Sequence, residues 1–396
     1  MFPTDIVIVA GARTPMARYT GVFSEVSAID LGAHAAKAAV QRSGVDPSEF
    51  DHVVFGNVLQ TSSDAIYGAR HVGLKAGLKV ETPAVTVNRL CGSGIEAIAQ
   101  AAQRLLLAEA NMVLAGGMEN MTQAPFVIRG ARTGLKLGAG NLEDFLFVGL
   151  TDSYCGLPMA VTAEKLAAQT GITRADADAY ALRSQQAAEA AAKTGVFKEE
   201  IVPVEVKQGR KSIVVTEDDH RRPETTLETL AKLPPSFQKD GIVTAGNASG
   251  IVDGAAAVVV TREKTAKERG LKPLGRIVSW AAVGVDPSIM GIGPVPSTRK
   301  ALQLAGLKLN QIDRVEVNEA FAPQYLAVEK ELDLSRDKTN VNGGAIALGH
   351  PLAASGTRLV ITVLNELRRK GLKYGLATAC IGGGQGIAMI VEALEN

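Results

Sequence analysis

Aromatic residues are scarce, 4% of the 396-residue chain with a single tryptophan, which argues against a large aromatic-lined binding surface. Neither sign of charge is in surplus: Lys and Arg total 42, Asp and Glu 41, leaving +1 with His neutral. No whole-molecule field therefore steers the protein to nucleic acid or an anionic membrane, although a local basic patch is compatible with this balance. The three cysteines, Cys91, Cys155 and Cys380, cannot all pair within one chain and form no Cys-x-x-Cys, so a reducing compartment fits and a redox pair does not. No apolar run approaches the ~18 residues of a membrane span. The N-terminal MFPTDIVIVAGARTP has no basic region followed by a long apolar stretch, so neither secretion nor a visible transit peptide is expected. His-Glu-x-x-His, zinc-finger spacing, GxxxxGK[ST] and a GxGxxG fingerprint in strand-to-helix context are also missing, so no metal site is expected.

What is present is an ordinary globular mixture, 46% hydrophobic and 21% charged, long enough at about 150 residues per domain for two or three lobes. Glycine, 41 residues, is above average and points to many close turns. The chain opens as strand (DIVIVAG), helix (AIDLGAHAAKAAVQRSG), strand (DHVVFGNVLQ), strand (TPAVTVNRL), glycine turn (CGSG), helix (IEAIAQAAQRLLLAEA) and strand (NMVLAGG). This alternation predicts parallel α/β topology. The plan then repeats: LNQIDRVEVNEAF answers VDPSEFDHVVFGN, KTNVNGGAIALGHPLAASGTRLVITVLNEL answers the strand, turn and helix around CGSG, and YGLATACIGGGQGIAMIVEAL answers NMVLAGG. A duplicated α/β fold follows, with one lobe in residues 1–120 and 242–270 and the other in 271–396. Residues 121–241, with an Ala-rich helix, two strand-like runs and the proline-bearing HRRPETTLETLAKLPPSF, read as an insertion packed over one lobe.

Cys91 falls between a strand and a helix inside Cys-Gly-Ser-Gly, where free N–H groups and the helix dipole would favour thiolate and lower its pKa. It reads either as a nucleophile or as filler of a tight interior gap. His350, in GGAIALGHPLAASG, occupies a similar corner and can stay partly neutral to take a thiol proton, or be a hydrogen-bonded turn residue. Cys380 ends a strand and opens CIGGGQG; it reads as an acid/base tuned toward neutrality or as a buried structural cysteine. All three fall at ends of predicted strands, where open α/β sheets place their sites. Asn318 and Glu319, after the strand DRVEV, can supply an amide to an oxyanion and orient a neighbour, or tie a loop. Backbone amides at Cys91 and around Gly382 are further oxyanion-donor candidates. Cys155 reads as filler or pocket wall, His34, His52 and His71 as structural, and His220 sits unspecifically beside Arg221 and Arg222.

Together NRLCGSG, GNASGIVDGAA, NEAFAP, GGAIALGHPLAASG and ACIGGGQG resemble the thiolase family over essentially the whole chain. The resemblance implies a duplicated, layered α-β-α-β-α core with an inserted loop domain that receives coenzyme A. It implies reversible thiolysis of 3-ketoacyl-CoA to acetyl-CoA and a shortened acyl-CoA, the acyl group passing through Cys91. His350 is implied to activate Cys91, and Cys380 to handle the proton at the substrate's alpha carbon. One oxyanion site would combine His350 Nε2 with a water on Asn318, the other the amides of Cys91 and Gly382. Ser249 resembles a pantetheine contact and Arg222 a contact to the nucleotide end. No cofactor is implied beyond CoA and acyl-CoA as substrates. A homo-oligomer, dimer or dimer of dimers, is implied, and the location would be cytoplasmic for a bacterial source or mitochondrial-like otherwise. In YCGLPMAVTAE, Leu157 and Pro158 stand where biosynthetic short-chain members often carry a histidine, which favours longer acyl chains over acetoacetyl-CoA alone. The alternatives are a short-chain acetyl-CoA acetyltransferase and a non-catalytic acyl-CoA-binding or scaffold relative. A decarboxylating ketoacyl synthase usually needs a second histidine where Cys380 stands.

Overall fold

In the computed structural model, which describes residues 5–394, the run Ile6–Arg13 forms β1 and is buried at every position. Residues 1–4 and 395–396, the extremes of the two expected lobes, lie outside the described residues. The first half continues with α1 (Ala28–Ser43), β2 (His52–Gly56), α2 (Gly68–Lys75), β3 (Ala84–Val87), α3 (Ser93–Leu106) and β4 (Met112–Glu119). Helix α1 starts where Ser27 Oγ accepts the Asp30 N–H and stops at Gly44, whose φ of 70° suits glycine. After the insertion, which contains α4 (Met159–Thr170) and α5 (Arg174–Lys193), β5 (Val252–Arg262) closes this half. The second half comprises β6 (Gly275–Gly284), α6 (Pro294–Ala305), β7 (Arg314–Val317), α7 (Ala322–Leu332), α8 (Leu352–Lys370), β8 (Tyr374–Ile381) and β9 (Gln385–Ala393).

The strands join in the order β7-β8-β9-β6-β1-β5-β4-β2-β3. Its two ends obey one rule. β1 pairs antiparallel with β5, β5 antiparallel with β4, β4 parallel with β2 and β2 parallel with β3. Likewise β6 pairs antiparallel with β9, β9 antiparallel with β8 and β8 parallel with β7, and a parallel bridge from Val315 to Thr339 stands where β3 stands in the first half. The duplication is therefore present, but the sheet is mixed rather than parallel. β9 follows β8 through a tight turn and β5 returns from the insertion, so neither arrives by the helical crossover that forces parallel entry.

Period-two alternation divides each strand between layers. Ile6 and Ile8 of β1, with Ala256, Val258 and Val260 of β5, face α3 and α8 in the middle. Val7, Val9, Ala255, Ala257 and Val259 face α1 and α2 outside. Helices α6 and α7 cover the outer face of the second half, which completes five layers. In the middle layer α3 and α8 touch backbone to backbone: a Cβ on Gly94 would collide with the Thr357 nitrogen. The insertion covers both halves, not one. Tyr180 and Ala181 of α5 are buried among second-half residues, whereas Val204 and Val206 of the hairpin Val204–Gln208/Lys211–Val215 join the first half's outer cluster.

Candidate active site

The turn after β3 is held by local hydrogen bonds. Asn88 Oδ1 accepts the Leu90 N–H at 2.9 Å, and Ser93 Oγ accepts the Arg89 N–H at 2.8 Å while donating to the Leu90 carbonyl at 2.7 Å. Leu90 is forced to φ 47°, a conformation that costs a branched side chain about 1–2 kcal/mol. That strained residue presents the next one, Cys91, at the start of α3, half-buried on the wall of a cavity. The N–H groups of Gly382 and of Cys91 itself bond toward its sulfur and favour thiolate, as the sequence predicts, but burial outweighs them and pushes the thiol up to about 11. Cys91 thus rests as a thiol, contrary to the expected lowering.

His350 follows Gly349 and precedes α8. Its N–H donates to the Gly250 carbonyl at 2.9 Å. Nδ1 lies 2.5 Å from Ser355 Oγ, and that hydroxyl donates to the Pro351 carbonyl at 3.2 Å. Ser355 therefore accepts from Nδ1–H, leaving Nε2 bare to receive Asn318 Nδ2 at 3.3 Å. Burial, and then the Arg358 cation, lower the imidazole to about 3, so it is neutral rather than partly neutral at physiological pH. The Asn318 Oδ1 is buried without a hydrogen-bond partner.

Cys380 faces Gly386 across the β8–β9 hairpin and is fully buried against Met290 and Ala320, with Met159 and Phe321 beside them. Those four neighbours line the cavity, so Cys380 sits one side chain behind its wall. Burial, and then interaction with Cys91, raise its thiol well above the ordinary range, away from the neutrality the sequence reading asks for. The two sulfurs, from opposite halves, share one corner.

The cavity is about 930 Å³ and takes in Cys91, His350, Ser249 and Arg222. Met121, Leu146 and Leu352 pack beside Cys91, giving an apolar wall. Arg18, Arg221 and Arg222 line another part. Arg221 is tied to Glu189 and Glu217 at 2.7 and 3.0 Å, whereas among the described residues the exposed Arg222 guanidinium has no ion-pair partner. Glu319 is a tie: it accepts Tyr180 Oη at 2.6 Å, Ser184 Oγ at 2.7 Å, Asn340 Nδ2 at 3.0 Å and the Ile346 N–H at 3.1 Å. His34 and His52 bond to backbone carbonyls and His71 to Asp64. Cys155 is half-buried and is not among the cavity's lining residues. Glu119 escapes the sequence reading although a charged residue ending an otherwise apolar strand is a visible signal; it is fully buried beside Cys91. Among the described residues no cluster of three or more His, Cys, Asp or Glu could hold a metal, and no helix is long and apolar enough to cross a membrane.

Fold and cavity define a duplicated α/β enzyme whose halves each bring reactive side chains to one apolar, cation-lined cleft. The chain belongs to the thiolase family: residues 6–264 match the family's N-terminal domain and residues 271–393 its C-terminal domain. It is 55% identical over 389 residues to the mitochondrial 3-ketoacyl-CoA thiolase of Homo sapiens, covering 98% of each chain. It is also 49% identical over 393 residues to an acetyl-CoA acetyltransferase of Escherichia coli (strain K12), covering 99% of this chain and 100% of that one. The crystal structure of the human mitochondrial 3-ketoacyl-CoA thiolase in complex with CoA superposes with a TM-score of 0.96 at 54% identity, over 99% and 98% of the two chains.

Proposed function

We propose that this thiolase carries out reversible, CoA-dependent cleavage of 3-ketoacyl-CoA, with Cys91 as nucleophile, His350 as its base and Cys380 as the acid/base at the substrate's alpha carbon. The convergence of Cys91, Cys380 and the bare Nε2 of His350 on one corner carries the reading. A resting thiolate–imidazolium pair is disfavoured from both sides, since Cys91 is raised and His350 lowered. Proton transfer to Nε2 therefore accompanies attack of sulfur on the 3-keto carbon. The bond between the alpha and keto carbons then breaks, its electron pair taking the Cys380 proton to release acetyl-CoA. A raised thiol suits this, because Cys380 is held protonated and ready to donate. The CoA thiol gives its proton to the Cys380 thiolate and attacks the acyl-Cys91 carbonyl, and the leaving Cys91 sulfur takes back the proton held on Nε2, which restores all three groups.

Charge on the attacked carbonyl would meet the amides of Cys91 and Gly382, which already point to the sulfur. The thioester oxygen of the acetyl unit would meet Nε2–H and a water on the unpartnered Asn318 Oδ1. Ser249 would contact the pantetheine arm and the free Arg222 the phosphate-bearing end. In this reading residues 121–241 form the CoA-receiving loop domain, residues 1–120 with 242–270 one lobe and 271–396 the other. The enzyme would be cytoplasmic in a bacterium and of the mitochondrial type otherwise. No cofactor beyond the CoA substrates enters the cycle.

The apolar wall beside Cys91 favours a broad chain-length range, since each buried methylene is worth about 0.8 kcal/mol. Comparing kcat/KM for 3-ketoacyl-CoAs from four to about ten carbons tests this. Activity that holds or rises with length is expected; activity confined to acetoacetyl-CoA would assign an acetyl-CoA acetyltransferase instead.

A further inference from the structure

Glu119 ends β4 at a point where the two halves of the molecule meet, and all its partners are donors. Its Oε1 accepts the Leu59 N–H at 2.9 Å and Asn57 Nδ2 at 3.1 Å. Its Oε2 accepts the Val58 N–H at 3.2 Å and the Ala353 N–H at 3.0 Å. Asn57, Val58 and Leu59 belong to the first half, and Leu59 packs in the cluster that contains Cys91. Ala353 belongs to the second, in the first turn of α8 and three positions after His350. The backbones leave little slack: a Cβ on Gly117 would collide with the Ala353 carbonyl, and one on Gly56 would reach Ala353 Cβ at 3.3 Å. One carboxylate thus pins the loop beside the cysteine and the turn that carries the histidine.

We propose that Glu119 is a positioning residue that fixes the Cys91 corner of the first half against the His350 turn of the second. This rests on the thiolase reaction proposed above. The titratable and charged groups around this corner are Cys91, Cys380, His350, Asp253 on β5 and Arg358 on α8. Burial pushes Glu119 itself up to about 7 against the N–H groups of Leu59, Ala353 and Val58, and burial, more than Glu119, raises Cys91.

Two substitutions test the geometric role. Glu119→Gln removes the charge and turns an NH₂ toward two donors, whereas Glu119→Asp keeps the charge but is one methylene too short to hold both sides. The readouts are steady-state kinetics and the rate of Cys91 alkylation by iodoacetamide, located by peptide mass spectrometry. Both variants should lose roughly 10–100-fold in kcat with KM changed by less than about threefold. A loosened fold would raise KM along with the loss in kcat, so an unchanged KM marks the loss as one of positioning. Full kcat in both variants, or a loss carried by KM, overturns the proposal. Failure of the parent enzyme to cleave 3-ketoacyl-CoA would instead remove the thiolase reading, and a changed rate of Cys91 alkylation in the variants would still read the positioning.

Discussion

At the residue scale, the same desolvation acts on three side chains with different chemical results. It raises Cys91 and Cys380 and lowers His350, so all three rest uncharged. Replacing Cys91 with alanine should therefore abolish turnover, by about 10⁴-fold or more, and abolish mass labelling by acetyl-CoA. Replacing Cys380 with alanine should leave Cys91 labelled but block carbon–carbon cleavage. Intact-mass spectrometry with acetyl-CoA reads the labelling, and full turnover in either variant contradicts the assignment. Stability carries a related signature. His350 titrates near 3 when folded and, from its ordinary value of 6.5, higher when unfolded. Above both values it contributes no pH dependence. As pH falls from about 6.5 toward 3 only the unfolded chain takes the proton, costing about 1.4 kcal/mol per pH unit from this group. Thermal unfolding of His350→Asn, compared with the parent, should show a shallower acid limb across that window.

At the scale of elements, buried ties hold the site in place. Glu319 holds α5 of the insertion to the loop between β7 and α7 and to the Ile346 backbone. Glu319→Ala would strand the Tyr180 and Ser184 hydroxyls and the Ile346 N–H, a loss expected at about 3–5 kcal/mol. Urea unfolding checks it; a change below about 1 kcal/mol would mean that water replaces the carboxylate. The strained Leu90 and the close contact of α3 with α8 show the same economy: small residues and a forced backbone set the approach that the chemistry needs.

For the whole molecule, duplication explains why a site forms at all. Each half ends its strands and starts its central helix toward the same region, so Cys91 at the head of α3 and His350 just before α8 meet where the halves join. The outer strand β3 ends the sheet with open hydrogen-bonding positions, and Ile66 and Val80, both 68% exposed, lie nearby in sequence. We propose that β3 pairs with a second copy to form a homo-oligomer. Light scattering should report an oligomer, and Ile66→Lys with Val80→Lys should shift it toward monomer; a monomeric parent would exclude the pairing.

The strands, the helices and their repetition were legible because apolar period, glycine stops and turn residues are local properties, and the motifs around Cys91, Asn318, His350 and Cys380 carried the family. Strand direction was not, because β5 and β9 enter their sheets through connections whose geometry no local pattern records. The protonation states of Cys91, Cys380 and His350 also lay beyond reach. A cysteine at a helix start suggests a lowered pKa, and only the packed environment reveals that desolvation wins. The ties made by Glu119 and Glu319 were decided by tertiary structure alone, since a buried carboxylate acquires its role from donors that lie far away in sequence.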